Sequence, residues 1–220
     1  MQLSRHGAQH IPVALSSENL EQLEQALAGT PPDRPGIRLT GLPALSDFLS
    51  PKGCIGRHAA ATLGPAARPV RALLFNKSKN QNWSLGWHQD RTIAVSNRVD
   101  TPGFGNWTIK SNIQHVEPPF DLVEKMLTVR VHLDDVGPAN APLLIVPGSH
   151  RLGRIPEAQL SSAAARLGSH ACLACRGDIW IYATPIVHAS DPSAENASRR
   201  VLQVDYSTAE LPAGLQWLGI

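Results

Sequence analysis

The stretch Trp87-His88-Gln89-Asp90 places an imidazole and a carboxylate two residues apart. On an extended strand side chains alternate faces, so His88 and Asp90 project to one side and Gln89 to the other. A converging imidazole and carboxylate supply two of the three ligands of a 2-His-1-carboxylate facial triad, which leaves half of an iron coordination sphere open. The spacing alone is a weak signal, more often a hydrogen-bonded surface pair than a metal site. A third ligand candidate is His188, in Pro185-Ile186-Val187-His188-Ala189-Ser190, directly after the apolar run Gly177-Asp178-Ile179-Trp180-Ile181-Tyr182-Ala183. Arg199 opens the last strong strand, where a guanidinium could hold a carboxylate in a bidentate, charge-assisted clamp. Taken singly, a histidine after a strand is more often structural and an arginine more often a surface charge. The ordered set carries more weight than its members.

Positioning such a set takes a wall of strands. The first third of the chain reads as a helical preface, about residues 1–68. Ser17 is placed to cap a helix with Glu18 in its first turn and Leu20, Leu23 and Leu27 at helical spacing, ended by Gly29 before Pro31-Pro32. A second helical region spans Leu45 to Leu63 and breaks near Pro51-Lys52-Gly53. The β core, about residues 69–207, begins with Val70-Arg71-Ala72-Leu73-Leu74-Phe75, followed by a polar turn from Asn76 to Asn82 and the strand that carries His88. Further short strands are expected over Met126–Asp135, Leu143–Val146, His170–Cys175, Asp178–Ala183 and Arg200–Tyr206, with one helix from Pro156 to Leu167. That spacing indicates an antiparallel sandwich or barrel. The segment from Arg98 to Phe120, with Pro102-Gly103-Phe104-Gly105-Asn106-Trp107 and Pro118-Pro119, reads as a long irregular lid; its alternative is a solvent loop pinned by aromatic residues.

The bulk properties set limits. A length of 220 residues suits one β-rich domain spanning 1–220. The net charge of +2 comes from 20 basic and 18 acidic residues mixed along the chain, which argues against a nucleic-acid partner and leaves small polar or anionic ligands open. No stretch approaches the length needed to cross a bilayer, and no apolar leader precedes Pro12, so a membrane partner is not expected. Three cysteines, Cys54, Cys172 and Cys175, fit a reducing compartment better than a disulfide framework, and the expected location is cytoplasmic.

From about Arg71 to Ser207 the sequence resembles the phytanoyl-CoA dioxygenase family of iron(II)- and 2-oxoglutarate-dependent oxygenases. The resemblance runs in order through Trp87-His88-Gln89-Asp90, Val131-His132-Leu133-Asp134-Asp135, Pro147-Gly148-Ser149-His150-Arg151, Gly177-Asp178, His188-Ala189-Ser190 and Arg199. It implies a mainly β fold, a double-stranded β-helix or cupin-like jelly roll with flanking N-terminal helices. It implies that His88, Asp90 and His188 hold iron(II), and that Arg199 with Ser190 receives the distal carboxylate of 2-oxoglutarate. It also implies that Trp107 lines the co-substrate pocket. The reaction implied consumes O2 and 2-oxoglutarate, releases succinate and carbon dioxide, and by default hydroxylates a C–H bond of a small-molecule substrate. Related iron halogenases lack the carboxylate ligand, whereas Asp90 fills that position here. One departure is Asn140-Ala141-Pro142, where the family usually has Asn-Gly; losing the glycine removes easy access to positive φ, so the turn is expected to differ in shape. The family's name does not imply a phytanoyl-CoA substrate, because nothing resembles a basic patch for coenzyme A phosphates.

The remaining titratable groups have plainer readings. Cys172-Leu173-Ala174-Cys175 has a metal-like spacing, but in a strand pattern its thiols face apart, as ordinary thiols would. His132 and His150 are expected to support hydrogen bonds rather than bind metal. Asn76 and Lys77 could reach a co-substrate or belong to a solvated turn, and Asp134-Asp135 is most simply turn chemistry. Two other classes fit a barrel of this kind: a cupin-like isomerase or other non-redox metalloenzyme, which would not need Arg199, and a non-catalytic binding protein. The intact set of His88, Asp90, His188 and Arg199 speaks against both.

Overall fold

The computed structural model describes residues 1–31, 34–77, 82–194 and 199–220. It contains the strands β1 (Ala8–Ile11), β2 (Gly36–Leu39), β3 (Arg68–Lys77), β4 (Leu85–His88), β5 (Ile93–Val95), β6 (Gly105–Lys110), β7 (Ile113–Glu117), β8 (Leu127–His132), β9 (Leu143–Ile145), β10 (His170–Cys172), β11 (Ile179–Ala183), β12 (His188–Ser190) and β13 (Arg199–Ser207). The helices are α1 (Leu3–His6), α2 (Ser17–Leu27), α3 (Ser46–Leu49), α4 (Gly56–Leu63), α5 (Phe120–Glu124) and α6 (Glu157–Leu167). The strands form a six-stranded sheet in the order β1-β11-β8-β13-β3-β2 and a four-stranded sheet in the order β10-β9-β12-β4; β5, β7 and β6 make a third. Every pairing between these strands is antiparallel. The architecture is a mainly β jelly roll of the double-stranded β-helix kind. Among the described residues no helix is long and apolar enough to cross a membrane.

The large sheet buries two different faces. Its outer face, including Val129, Val131, Ile179, Ile181, Leu202 and Val204, packs with Leu20, Leu23 and Leu27 of α2 and with Leu49 and Ala59 of α3 and α4. Each buried leucine of α2 contributes about 2 kcal/mol of apolar burial, which helps to hold the preface on the sheet. The inner face is mixed. Trp180 and Tyr182 pack across the sandwich against Leu143, Ile145, Cys172 and Ile186, while Arg71, Lys77, Arg130, Gln203 and Arg199 lie along the same side of the sheet and line a cavity.

Several local expectations change. Ser16, not Ser17, caps α2, its side chain accepting from the Asn19 amide at 3.1 Å. The preface is not all helical: β1 pairs with β11 and β2 with β3, so both edges of the large sheet come from it. These four-residue strands carry no alternation strong enough to stand out, and pairing with a preformed sheet edge creates them. The 98–120 segment is largely a hairpin, not an irregular loop. Ser111 and Asn112, at φ 52° and 61°, form its two-residue turn, as expected for a tight connection that matches strand twist. Part of the polar turn expected over Asn76–Asn82, residues 78–81, lies outside the described residues, as does Pro32.

Candidate active site

β4 and β12 are neighbours in the small sheet, and their register sets His88 directly opposite His188. The two imidazole centroids are 4.1 Å apart. Asp90 follows two residues after the end of β4, and one ligand atom from each of His88, Asp90 and His188 lies within 4.8 Å of the others. Gln89 turns away, as alternation requires. It is buried, donates to the carbonyls of Gly153 and Pro185 at 3.0 and 2.8 Å, and accepts from the Ile155 amide at 2.9 Å. That triple clamp fixes the strand end and hence the directions of His88 and Asp90.

The donor set fits a divalent metal ion. The Nδ1 atoms of His88 and His188 lie 2.8 and 2.9 Å from the carbonyls of Gly86 and Ile186. A ring N–H directed at a carbonyl fixes the tautomer with the lone pair on Nε2, the arrangement typical of metal-ligating histidine. Burial, then the neighbouring His88, pushes the His188 imidazole down to about 4, so it stays neutral and able to ligate. Burial pushes the Asp90 carboxyl up, but Arg71, His188 and His88 outweigh it and hold it below its ordinary value. The Arg71 guanidinium contacts Asp90 at 3.2 Å and Asp205 at 2.5 Å. It thereby orients the carboxylate.

The triad opens on a cavity of about 330 Å3. One end gathers Lys77, Arg130 and Arg199 from three adjacent strands, with Arg199 opposite Lys77 in the β13–β3 register. Lys77 Nζ donates to the Ser190 hydroxyl at 3.1 Å and to the Asp191 carbonyl at 2.7 Å. Arg130 donates to Gln203 Oε1 at 2.7 Å, and Arg199 donates through Nη1 to the Ala141 carbonyl. The Nε atoms of Arg130 and Arg199 are buried with no partner. Burial, then Arg130, pushes the Arg199 guanidinium down to about 9; burial, then Arg199, pushes the Lys77 ammonium down to about 8. Three buried cations held close together with spare donors make a site that an anion would stabilise.

The structure brings His88, Asp90, His188, Ser190 and Arg199 onto one cavity. It does not bring Trp107 there. Trp107 packs instead with Val70, Ile93 and Leu215, beneath the Arg98 guanidinium at 5.4 Å. Trp83 lines the cavity instead, with Lys77 Nζ 5.0 Å from its ring centroid. Lys77, which the sequence allowed in a solvated turn, is 1% exposed. Arg71 and Arg130 do not stand out in the sequence; the signal each leaves is an arginine flanked by apolar residues within a strand, Val70-Arg71-Ala72 and Val129-Arg130-Val131.

The plainer readings divide. Cys172 is buried, its thiol pushed up to about 12 by burial, and Cys175 is exposed; neither joins a metal-competent group among the described residues. The His132 ring nitrogens and His150 Nδ1 are buried without hydrogen-bond partners, contrary to the expected supporting bonds. His150 instead packs so closely on Gly7 that a Cβ there would come within 2.3 Å of its ring. Asp134 does more than shape a turn, since it binds Arg200, which also meets Glu24 of α2.

A family model described as phytanoyl-CoA dioxygenase matches residues 3–201. Among solved structures, EctD from S. alaskensis with bound Fe is 19% identical, with a TM-score of 0.69 over 93% of this chain and 74% of that one. AviO1 from Streptomyces viridochromogenes Tue57 is 20% identical, with a TM-score of 0.67 over 96% and 94%. SnoN, a non-heme alpha-ketoglutarate-dependent epimerase from nogalamycin biosynthesis, is 17% identical, with a TM-score of 0.63 over 96% and 87%. No curated protein matches the sequence.

Proposed function

Because the chain belongs to the phytanoyl-CoA dioxygenase family of non-heme iron, 2-oxoglutarate-dependent enzymes, we propose that it hydroxylates a C–H bond of a small molecule at the His88–Asp90–His188 centre, with release of succinate and carbon dioxide. The observation that carries this reading is a metal-competent triad on the wall of a cavity whose far end holds the unneutralised Lys77, Arg130 and Arg199. In this reading His88, Asp90 and His188 hold iron(II), which with 2-oxoglutarate and O2 supplies the oxidising chemistry. Arg199, Lys77 and Ser190 receive the distal carboxylate of 2-oxoglutarate and fix its orientation. Arg71 keeps Asp90 ionised and aimed, and Gln89 holds the strand end that carries two of the ligands. Apolar wall residues such as Leu73 and Leu143 exclude water from the reacting face.

Anaerobic protein loaded with iron(II) should develop a visible charge-transfer band on titration with 2-oxoglutarate, and aerobic protein should form succinate. His88→Ala and Asp90→Ala should each lose stoichiometric iron while keeping the wild-type circular dichroism spectrum. Full iron retention in both variants, or no band in wild type, would rule the proposal out.

A further inference from the structure

The cations on the cavity wall fall into two groups. Lys77, Arg130 and Arg199 act on one another at one end, while Arg38, Arg71 and Lys110 act on one another at the other. Arg71 and Lys77 lie six residues apart on one face of β3, about 20 Å at the usual rise per strand residue, too far for a five-carbon diacid to engage both ends. Arg71 is already committed to Asp90 and Asp205. Arg38, from β2, and Lys110, from β6, are not: neither contacts a carboxylate in an ion pair among the described residues, and Asp90 is the single carboxylate on the cavity wall. Arg38 Nε is buried with no hydrogen-bond partner, and its Nη1 reaches the Ser111 hydroxyl only at 3.4 Å. Burial, then Arg71, pushes Arg38 down, and burial, then Arg38, pushes Lys110 down. Arg38 therefore carries a buried, unpartnered donor, and the like charges of Arg38, Arg71 and Lys110 crowd one another, a repulsion that an anion between them would offset.

We infer that the substrate is a small anion, bearing a carboxylate or phosphate that Arg38 and Lys110 bind together, with an apolar body along Leu73, which lines the same cavity and stands opposite Arg38 in the β2–β3 register. The inference rests on the iron and 2-oxoglutarate reading above, because that reading assigns the opposite cationic end to the co-substrate. Arg38 and Lys110 belong to different sheets, and Lys110 rides on the β6–β7 hairpin. Binding an anion thus draws the hairpin onto the edge strand β2 and covers the cavity at the same time. The expected lid function is in this form a hairpin closing through charge.

The test uses anaerobic protein loaded with iron(II) and 2-oxoglutarate, titrated with phenylacetate, phenyl phosphate, neutral phenylacetamide and cationic 2-phenylethylamine, and read by ligand-observed NMR. At least one anion should bind saturably at millimolar concentration without displacing 2-oxoglutarate, and the better anion tells carboxylate from phosphate chemistry. The amide and the amine should bind at least about tenfold more weakly. The double variant Arg38→Gln/Lys110→Gln should lose anion binding by about tenfold or more while its 2-oxoglutarate band titrates as in wild type. Lys110→Glu, a change on an exposed hairpin that leaves the sheet edge intact, should lose it further. The inference is overturned if no anion binds, if the neutral or cationic probe binds as well, if anions compete with 2-oxoglutarate, or if the variants bind them unchanged. Absence of the charge-transfer band in wild type strikes the underlying reading instead, so the two failures are distinct.

Discussion

Arg199 is 3% exposed, keeps one guanidinium nitrogen without a partner, and shares its end of the cavity with Lys77 and Arg130. Hydrogen bonds between charged groups in such a site are worth about 1.5–3 kcal/mol each. Arg199→Ala should therefore weaken 2-oxoglutarate by at least about tenfold, and Arg199→Lys, which keeps charge but not the planar fork, should lie between. Iron affinity should not change. Titrating the charge-transfer band in the three proteins decides the matter, and an undiminished affinity in Arg199→Ala would move the role to Lys77. Arg200 is not a substitute, because Asp134 and Glu24 hold it on the opposite side of the sheet. The residue that accepts from Arg199 is itself unusual. Ala141 stands where the family usually has glycine, yet it keeps positive φ at 48°. The left-handed conformation costs an alanine about 1 kcal/mol relative to glycine. Ala141→Gly should raise stability by up to about 1 kcal/mol in urea denaturation, with Arg199 and its carbonyl contact undisturbed. A loss of stability on that change would mean that the turn is not strained by its side chain.

At the scale of elements, what could be read from the sequence followed the density of local signal. The strands over 70–75, 126–135, 143–146, 178–183 and 200–206 are rich in Val, Ile, Leu or aromatic residues, and β3, β8, β9, β11 and β13 occupy them with small shifts at the ends. The edge strands β1 and β2 and the strand β12 are three or four residues long, too short for periodicity to register, and exist because a neighbour offers a free ladder. His88, Asp90, His188 and Arg199, picked out by side-chain type and order, do come together on one cavity, because coordination and anion chemistry restrict the side chains that can serve and so leave a signal in the sequence. Trp107 was misplaced because an aromatic residue carries no comparable positional constraint. The Gly177-Asp178 pair was legible as a motif but not as a role: Asp178 accepts from the Val13 and Cys175 amides at 2.8 and 2.9 Å and meets His10 Nε2 at 2.9 Å, tying β1 and the start of the preface to β11. Asp178→Ala leaves both amides without that acceptor and should cost about 2–4 kcal/mol. Thermal denaturation should show the loss, and 2-oxoglutarate binding below the transition should be unaffected. A variant as stable as wild type would show that the Asp178 contacts do not help to hold the preface.

Across the whole molecule, the response to acid follows from polar groups buried without compensation. Burial is the largest influence on both His132, pushed down to about 3, and His115, pushed down to about 4. Each is 1% exposed. In the unfolded chain both titrate near 6.5. As pH falls below that value the unfolded chain takes up a proton on each ring that the folded chain refuses until about pH 4 for His115 and about pH 3 for His132. Depressed folded-state values therefore give a contribution that is full above about pH 6.5 and is lost as pH drops toward them. Each ring should remove about 2 kcal/mol between pH 6.5 and 5. Urea midpoints of the metal-free protein at pH 7 and pH 5 measure the loss without changes in metal occupancy. His132→Leu isolates one contribution, because neither ring nitrogen of His132 has a partner to lose and the volumes are similar. The variant should stay within about 1 kcal/mol of wild type at pH 7 and be distinctly less sensitive to pH 5. An identical acid response in both proteins would show that His132 does not remain a buried neutral ring, and that the acid sensitivity lies with other groups.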